Sequence, residues 1–299
     1  MKEVIILYGG ESDESKISES SANSIYEYID RSFFSPVLMN LNDFKINDIN
    51  KNSIVFIAIH GEGGEDGMIQ KLLEEKNIIF TGSGQKSCEN CWNKIRSKKI
   101  LLDKQLPTPE FITLSKNEKV ETNNIFFQNQ DAFFVKPNTN GSSFGISMVQ
   151  DLVDLEGAIK LAREYSEEVL IEKAYTNSEY TVGILKGDAL EPLQILPDGS
   201  RDFYDYQAKY QSDKTIKIEL NNQNLKEELK NFAVSAFSAH GCRTWGRVDF
   251  VFDGENLGIL ELNTVPGFTE KSLFPLAAKK TGINYQELIT LIIEDSIKD

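Results

Sequence analysis

Histidine is nearly absent from this sequence, with two among 299 residues, His60 and His240. That excludes a His-rich metal centre. It also leaves a serine hydrolase poorly supplied, since no G-x-S-x-G accompanies the two imidazoles. Cysteine is scarce, at three residues. An odd count with no signal-like segment argues against a disulfide framework. Cys88-Glu-Asn-Cys91 has redox or zinc spacing. With no second Cys pair and no nearby His, it reads as buried or idle thiols on a helix. No apolar run approaches the ~20 residues of a membrane span. The first ten residues have too short an apolar part for a signal peptide, so a cytoplasmic protein is expected. An excess of basic charge is also missing. The formal net charge of −14 argues against a general nucleic-acid binder and against docking on anionic lipid. It leaves ATP open, because clustered Lys and Mg²⁺ reverse the sign locally. Neither a Walker A motif nor G-x-G-x-x-G occurs, so P-loop and dehydrogenase readings lack support.

What is present is ordinary for a globular chain: 40% hydrophobic and 26% charged residues, with length for two or three domains. Val4–Tyr8 reads as a buried strand, followed by Gly9-Gly10, Glu14 and a helix from about Ser20 to Ile29. After a weak strand at Val37–Met39, Ile54–Ile59 is a continuous apolar run, as in a central parallel strand. It ends at His60-Gly-Glu-Gly-Gly-Glu-Asp-Gly67. Two glycine-rich loops thus fall at one carboxyl edge, where such folds bind ligands. Their acidity suits an ammonium group better than a phosphate. A helix over 70–75 and a strand over 78–80 follow, and then one long helix from Ser87 to about Asp103 carries Lys94, Arg96, Lys98 and Lys99. Pro107 and Pro109 break the chain before a strand at Phe111–Leu114.

The middle alternates strands over 132–135, 145–149 and 169–173 with a helix over 155–165. Lys136 leads into Gly141-Ser142-Ser143, a loop whose N–H groups and hydroxyls can wrap a polyphosphate. Strands over 179–185 and 189–196 precede a long polar, aromatic loop, 198–213, of the length that often forms a lid. A strand over 215–220, a helix over 224–240 and a last helix over 285–297 complete the pattern. Ser272 reads as the N-cap of a further helix whose free N–H groups suit an anion.

The densest chemistry lies in Arg247-Val-Asp249-Phe-Val-Phe252 and Gly258-Ile-Leu-Glu261-Leu-Asn263. These are two alternating strands around an Asp253-Gly254 turn signal. Centring the hairpin on Glu255, with an odd-length loop, puts Asp249 opposite Glu261 and Arg247 opposite Asn263. Two carboxylates across a ladder repel, so something positive belongs between them. The oxygen-only donor set suits Mg²⁺ carrying nucleotide phosphates.

Taken together these motifs resemble the D-alanine–D-alanine ligases of the ATP-grasp superfamily. The resemblance runs from Gly9-Gly10…Glu14 and His60-Gly-x-x-Gly-Glu-Asp-Gly67, through Thr81-Gly-Ser-Gly84, to Val135-Lys-Pro…Gly141-Ser-Ser-x-Gly145. It continues over Ile171-Glu-Lys173…Glu179, Tyr204-Asp-Tyr-x-Ala-Lys-Tyr210, Gly246-Arg-Val-Asp249 and Glu261-Leu-Asn-Thr-Val-Pro-Gly-Phe-Thr-x-x-Ser-Leu273. It implies a mixed α/β ATP-grasp fold. Residues 1–85 would form a doubly wound, Rossmann-like substrate domain, 86–176 a central subdomain, and 177–299 a catalytic domain with the lid. It implies an ADP-forming peptide ligase in which ATP phosphorylates one D-alanine and the amine of a second attacks the acyl phosphate, supplying peptidoglycan precursor.

By matched position, the resemblance gives Lys94, Lys136 and Lys209 to the phosphates, with Gly141, Ser142 and Ser143. Glu172, Lys173 and Tyr175 would frame the adenine, and Glu179 the ribose. Asp249, Glu261 and Asn263 would ligate two Mg²⁺, with Mn²⁺ as a possible substitute. Arg247 and the Gly267 N–H would stabilise the oxyanion. Glu14 and His60 would bind the first D-alanine, and Ser272 and Leu273 the carboxylate of the second. Glu14, Ser142 and Tyr210 would fasten the lid, and Tyr210 points to D-alanine over D-lactate as nucleophile. Trp92-Asn93-Lys94 departs from the usual Met-Asp-Lys, and Lys71 replaces a common Gly. By analogy with the family a homodimer is expected. The competing readings are another ATP-grasp carboxylate–amine ligase, including a D-alanine–D-lactate ligase, and an ATP-binding sensor without turnover.

Overall fold

The computed structural model describes residues 1–10, 14–128, 131–141, 143–196 and 216–298. Strands β1 (Lys2–Tyr8), β2 (Phe34–Asn40), β3 (Ile54–Ile57) and β4 (Ile79–Phe80) form a parallel sheet in the order β2-β1-β3-β4. All four residues of β3 are buried, as its unbroken apolar run requires. Helices α1 (Ser15–Tyr28) and α2 (Met68–Glu75) connect these strands. Apolar spacing places the start of α1 near Ser20, yet it begins at Ser15. The reason is that two serines face inward. The Ser18 hydroxyl accepts the Gly9 N–H at 2.8 Å and donates to the Ala58 carbonyl at 2.7 Å, so its burial costs little.

The single long helix expected over 87–103 is two helices, α3 (Gln85–Trp92) and α4 (Lys94–Asp103). Asn93 separates them with extended backbone (φ −84°, ψ 101°). Its side chain accepts the Arg96 N–H at 2.8 Å and so caps α4. Lys94 therefore sits at a helix start, its N–H donating to the Asn138 carbonyl at 3.0 Å.

A second, antiparallel sheet has the order β5-β8-β6-β7, from β5 (Phe111–Leu114), β6 (Phe133–Pro137), β7 (Ser147–Val149) and β8 (Val169–Lys173). Helix α5 (Leu155–Arg163) packs on β6. The third sheet is antiparallel with order β12-β11-β9-β13-β14. Its members are β9 (Ser178–Leu185), β11 (Leu193–Leu196), β12 (Ile216–Glu219), β13 (Trp245–Phe252) and β14 (Leu257–Asn263), with β10 (Asp188–Ala189) paired to β9. The one strand expected over 189–196 is split into β10 and β11, with Pro192 between them. Helices α6 (Gln223–Ala239), α7 (Leu273–Lys280) and α8 (Tyr285–Lys298) complete the chain. Among the described residues no helix is long and apolar enough to cross a membrane.

One aromatic cluster joins the first sheet to the third. Trp245 opens β13 at 1% exposure and packs against Phe56 of β3, Phe268 and Phe274, at centroid distances of 6.1, 5.1 and 5.2 Å. Helices α7 and α8 contribute to the same core as β1 and β3. This holds the carboxyl edge of the parallel sheet beside the segment that follows β14. Ser18→Ala removes one partner from two buried backbone groups. It is expected to lower the unfolding free energy by about 1–3 kcal/mol, read as a lower midpoint in urea denaturation at unchanged slope.

Candidate active site

Strand β13 pairs with β14 so that Asp249 faces Glu261 and Arg247 faces Asn263. Those are the pairs expected from spacing, but the turn is not the odd loop assumed. Four residues, Asp253 to Asn256, lie between the strands, and near the turn Phe252 pairs with Leu257 and Phe250 with Ile259. The register then shifts between Phe250 and Asp249, leaving Leu260 as an extra residue on β14. Without that bulge Leu260 would oppose Asp249 and Glu261 would point to the other face. Strand β9 adds Thr181 opposite Asp249 and Glu179 opposite Val251. Directly opposed residues share a face, so Glu179, Thr181, Arg247, Asp249, Glu261 and Asn263 line one side of the sheet.

Asp249 has a positive partner on its own strand. Arg247 grips Asp249 with two bonds, Nε to Oδ1 at 2.8 Å and Nη2 to Oδ2 at 2.7 Å. The Thr181 hydroxyl donates to Oδ1 at 2.7 Å. Arg247 and Asp249 are each 9% exposed, a depth at which a bidentate pair fixes both groups. Asn263 accepts the Val265 N–H at 3.2 Å. Among the described residues no three His, Cys, Asp or Glu side chains gather as a metal-binding set. The oxygen donors here are two carboxylates and an amide, a set that fits a hard cation in company with phosphate oxygens.

A second group meets this face from the carboxyl edge of the first sheet. His60 is 2% exposed and spans the two parts. Its Nδ1 lies 2.8 Å from the Val265 carbonyl and its Nε2 lies 2.9 Å from Ser21 Oγ. Ser21 Oγ also accepts the Phe268 N–H at 3.1 Å. The consistent assignment has Nδ1–H donating to Val265 and the Ser21 O–H donating to Nε2. Burial, the largest influence, holds His60 below the ordinary imidazole range, and Arg247 acts the same way. Glu65 is pushed well above the usual carboxyl range by burial, then by Glu14 and also by Glu261. Glu14, His60, Glu65, Arg247 and Glu261 therefore share one field. Glu14 is buried, and a Cβ built on Gly141 would lie 3.3 Å from its Oε2. A Cβ on Gly267 would lie 3.3 Å from Ser272 Oγ. Ser272 stands at the N-cap of α7 as expected, but makes no side-chain cap bond. Its hydroxyl oxygen accepts the Thr269 N–H at 3.0 Å, and Leu273 opens the helix.

The third group is basic. Glu172 on β8 is 1% exposed and lies between two lysines, Lys136 on Oε1 and Lys98 on Oε2, the latter at 2.7 Å. Burial pushes its carboxyl up, but the two ammonium groups outweigh burial and hold it at about 2. Lys94 Nζ donates to the Asn140 carbonyl at 2.6 Å. Lys173 Nζ reaches Asp253 Oδ2 at 3.4 Å and lies over the Tyr175 ring. Ser143 takes a positive φ of 63°, beside Gly141 in the loop after β6.

Ser142, Lys209, Tyr210 and the expected lid over 198–213 lie outside the described residues. Spacing missed Lys98, Thr181, Ser21 and Glu65. Three of these had a usable signal: Lys98 falls four residues after Lys94 on one helix face, Thr181 two after Glu179 on one strand face, and Glu65 lies in the acidic glycine loop that ends the central strand. Ser21 had none. The Cys88–Cys91 pair is not a unit. Both thiols are buried, and Cys91 Sγ contacts Cys242 Sγ at 3.6 Å, with all three cysteines free.

The model of the family described as D-ala D-ala ligase C-terminus matches residues 100–294. A D-alanine–D-alanine ligase of Vesicomyosocius okutanii is 39% identical over 98% of this chain and 99% of its own length. That of Haemophilus ducreyi is 34% identical over 99% and 98%. The crystal structure of the Bacillus anthracis D-alanine–D-alanine ligase complexed with ATP superimposes with a TM-score of 0.86. It is 29% identical and covers 100% of this chain and 98% of that one.

Burial lowers both imidazoles, His60 most of all through desolvation, and His240 likewise despite its bonds to Ala236 and Ser97. Their folded pKa values lie below the unfolded one. The unfolded chain then binds more protons below about pH 6.5, and stability falls as pH drops through that value. The two imidazole Cε1–H resonances are expected to titrate with midpoints below 6.5; midpoints above it would contradict the burial described.

Proposed function

The chain belongs to the D-alanine–D-alanine ligase family and joins two D-alanines at the expense of ATP for peptidoglycan precursor, and from that premise we propose how its residues divide the work. The observation that carries the assignment is the face on which Asp249 opposes Glu261 while Arg247 grips Asp249. The units are taken as 1–85, 86–176 and 177–299, with the second and third holding the nucleotide.

Lys94, Lys136 and Lys209 bind the phosphates, and Gly141, Ser142 and Ser143 wrap them with N–H groups and hydroxyls. Glu172, Lys173 and Tyr175 frame the adenine, and Glu179 the ribose. Asp249, Glu261 and Asn263 would hold two Mg²⁺, or Mn²⁺ in their place, which would neutralise charge on the transferred phosphoryl group. Glu14 takes the ammonium of the first D-alanine. Its place beside Gly141 supports its pairing with Ser142 and Tyr210 in fastening the lid. The attack of the second amine produces an oxyanion, for which Arg247 and the Gly267 N–H are the donors. Arg247 is held ready by Asp249, so it pays no reorganisation when charge develops. Ser272 and Leu273 take the carboxylate of the second D-alanine. With its side chain turned to Thr269, Ser272 leaves the first-turn N–H groups of α7 to that anion.

His60 is assigned to the first D-alanine, but both ring nitrogens have protein partners. Its contribution to that subsite is through shape and neutrality, next to Glu14. The protein is proposed to work in the cytoplasm, as a homodimer, without nucleic acid or membrane.

Release of ADP on adding D-alanine, and not on adding D-lactate or L-amino acids, is the expected result. ATP binding without release would favour the sensor reading. Glu261→Gln is expected to abolish ligation in a folded protein, and full turnover in that variant would remove the metal assignment. Arg247→Ala is expected to lower kcat by about 10²–10³. Tyr210→Phe removes one hydrogen bond of ~1 kcal/mol, and should shift the D-alanine to D-lactate preference by about fivefold.

A further inference from the structure

The assignment above uses Lys136 and Glu172 but leaves Lys98 idle, although Lys98 is as deeply buried as Glu172, each at 1% exposure. Its ammonium group is ion-paired with Glu172 Oε2 at 2.7 Å and donates to Thr108 Oγ1 at 2.8 Å and to the Pro109 carbonyl at 3.4 Å. Its Nζ also lies over the Phe111 ring, 5.3 Å from the centroid. With its side chain 1% exposed, Lys98 is enclosed by these partners. Lys136, the other partner of Glu172, has a side chain 9% exposed against 1% for Lys98.

ATP makes a demand on this arrangement. Lys136 cannot serve a phosphate in full while it neutralises Glu172. If it turns away, Glu172 becomes a buried carboxylate with one counter-charge lost, which is strongly unfavourable. The geometry points to Lys98 as a positioning residue for ATP: a permanent counter-ion that keeps Glu172 charged and in place while Lys136 moves to the phosphates. This rests on the assignment of Lys136 and Glu172 to the nucleotide.

A second feature fits that role. Thr108, bonded to Lys98, donates its hydroxyl proton to the Ile259 carbonyl at 2.8 Å, and the Ile259 N–H donates to Pro107 at 2.8 Å. Ile259 adjoins the bulge at Leu260. The ammonium of Lys98 therefore ties β8, which carries Glu172, to β14, which carries Glu261.

The charged and titratable groups around Glu172 are Lys136 from β6, Lys98 from α4, and Glu110 and Tyr175 at the flanks of β5 and β8. With both lysines the carboxyl stays ionised through the neutral range. Without Lys98, burial is opposed by Lys136 alone. Drawing Lys136 onto a phosphate would then force a proton onto Glu172.

The test is calorimetric binding of ATP to the full chain, without D-alanine, in buffers of different ionisation enthalpy between pH 5.5 and 8. Lys98→Met is expected to weaken ATP about tenfold or more, to add proton uptake beyond that of the unaltered chain, and to bind better as pH falls. Lys98→Arg, which keeps the charge, should show no excess uptake. In Lys98→Met/Glu172→Gln the excess should vanish. A folded Lys98→Met that binds ATP with unchanged affinity and proton uptake overturns the proposal, as does excess uptake that persists in the double variant. If Lys98→Met does not fold, the double variant should fold, because the unpaired anion is gone; failure of both assigns Lys98 to packing and overturns the proposal. Binding needs no turnover, so a failure to release ADP with D-alanine would sink the assigned reaction without deciding this point.

Discussion

The register of β13 against β14 is the constraint on which the rest depends. Side chains alternate along a strand, so one residue of slip exchanges the charged face for the apolar one. Here the turn and the site demand different registers, and the extra residue at Leu260 reconciles them. The bulge is held from outside, because Ile259 uses its N–H on Pro107 and its carbonyl on Thr108. Gly258 lies so close to Pro109 that a Cβ there would come within 2.7 Å of the ring. The linker that separates the sheets thus pins the strand that carries Glu261. At the other end Trp245 anchors β13 in the core shared with β3. The face is located by packing at both ends before any ligand arrives.

An acidic protein that binds ATP must arrange its few buried cations with care. Arg247 spends its guanidinium on Asp249, and Lys136 and Lys98 share Glu172. Each cation is desolvated and each is paired, which is the condition under which a buried charge is tolerable. The partner carboxylates also aim the cations. By contrast Glu65 shares a field with Glu14 and Glu261 and is pushed toward its neutral form. The edge proposed for the substrate holds these carboxylates, and the edge proposed for the nucleotide holds Lys98 and Lys136. That asymmetry is what an ammonium-bearing amino acid on one side and a polyphosphate on the other would require.

The order of the motifs is enough to read the family, and the alternation in Arg247–Phe252 and Gly258–Asn263 is enough to read two strands with Asp249 and Glu261 in their charged sets. These depend on local periodicity and on residue chemistry, both of which a linear chain displays. The opposition of Asp249 and Glu261 itself comes from the bulge at Leu260, which spacing does not show. Other features were not readable in that way. Hydropathy scores Ser18 and Ser21 as polar, which places the start of α1 late; their burial depends on the backbone of Gly9 and Ala58 for Ser18, and on the His60 ring and the Phe268 N–H for Ser21. By spacing Asn93 is one more residue in a long helix, and its capping role follows from a break that positions Lys94. Cys88 and Cys91 are buried thiols on a helix, as expected, but spacing does not show that Cys91 meets Cys242 from across the fold.

Residue types and spacing alone specified the chemistry on offer: oxygen donors for a hard cation, lysines for phosphates, and glycine loops at a sheet edge. They specified it because side-chain chemistry and strand alternation are properties of neighbours in the chain. Other buried partnerships were settled elsewhere, by Lys98 reaching Glu172, Thr181 reaching Asp249, and Ser21 joining His60 to Phe268. Those partners are separated by tens to hundreds of residues, and only tertiary packing of the elements that carry them brings them within hydrogen-bond reach.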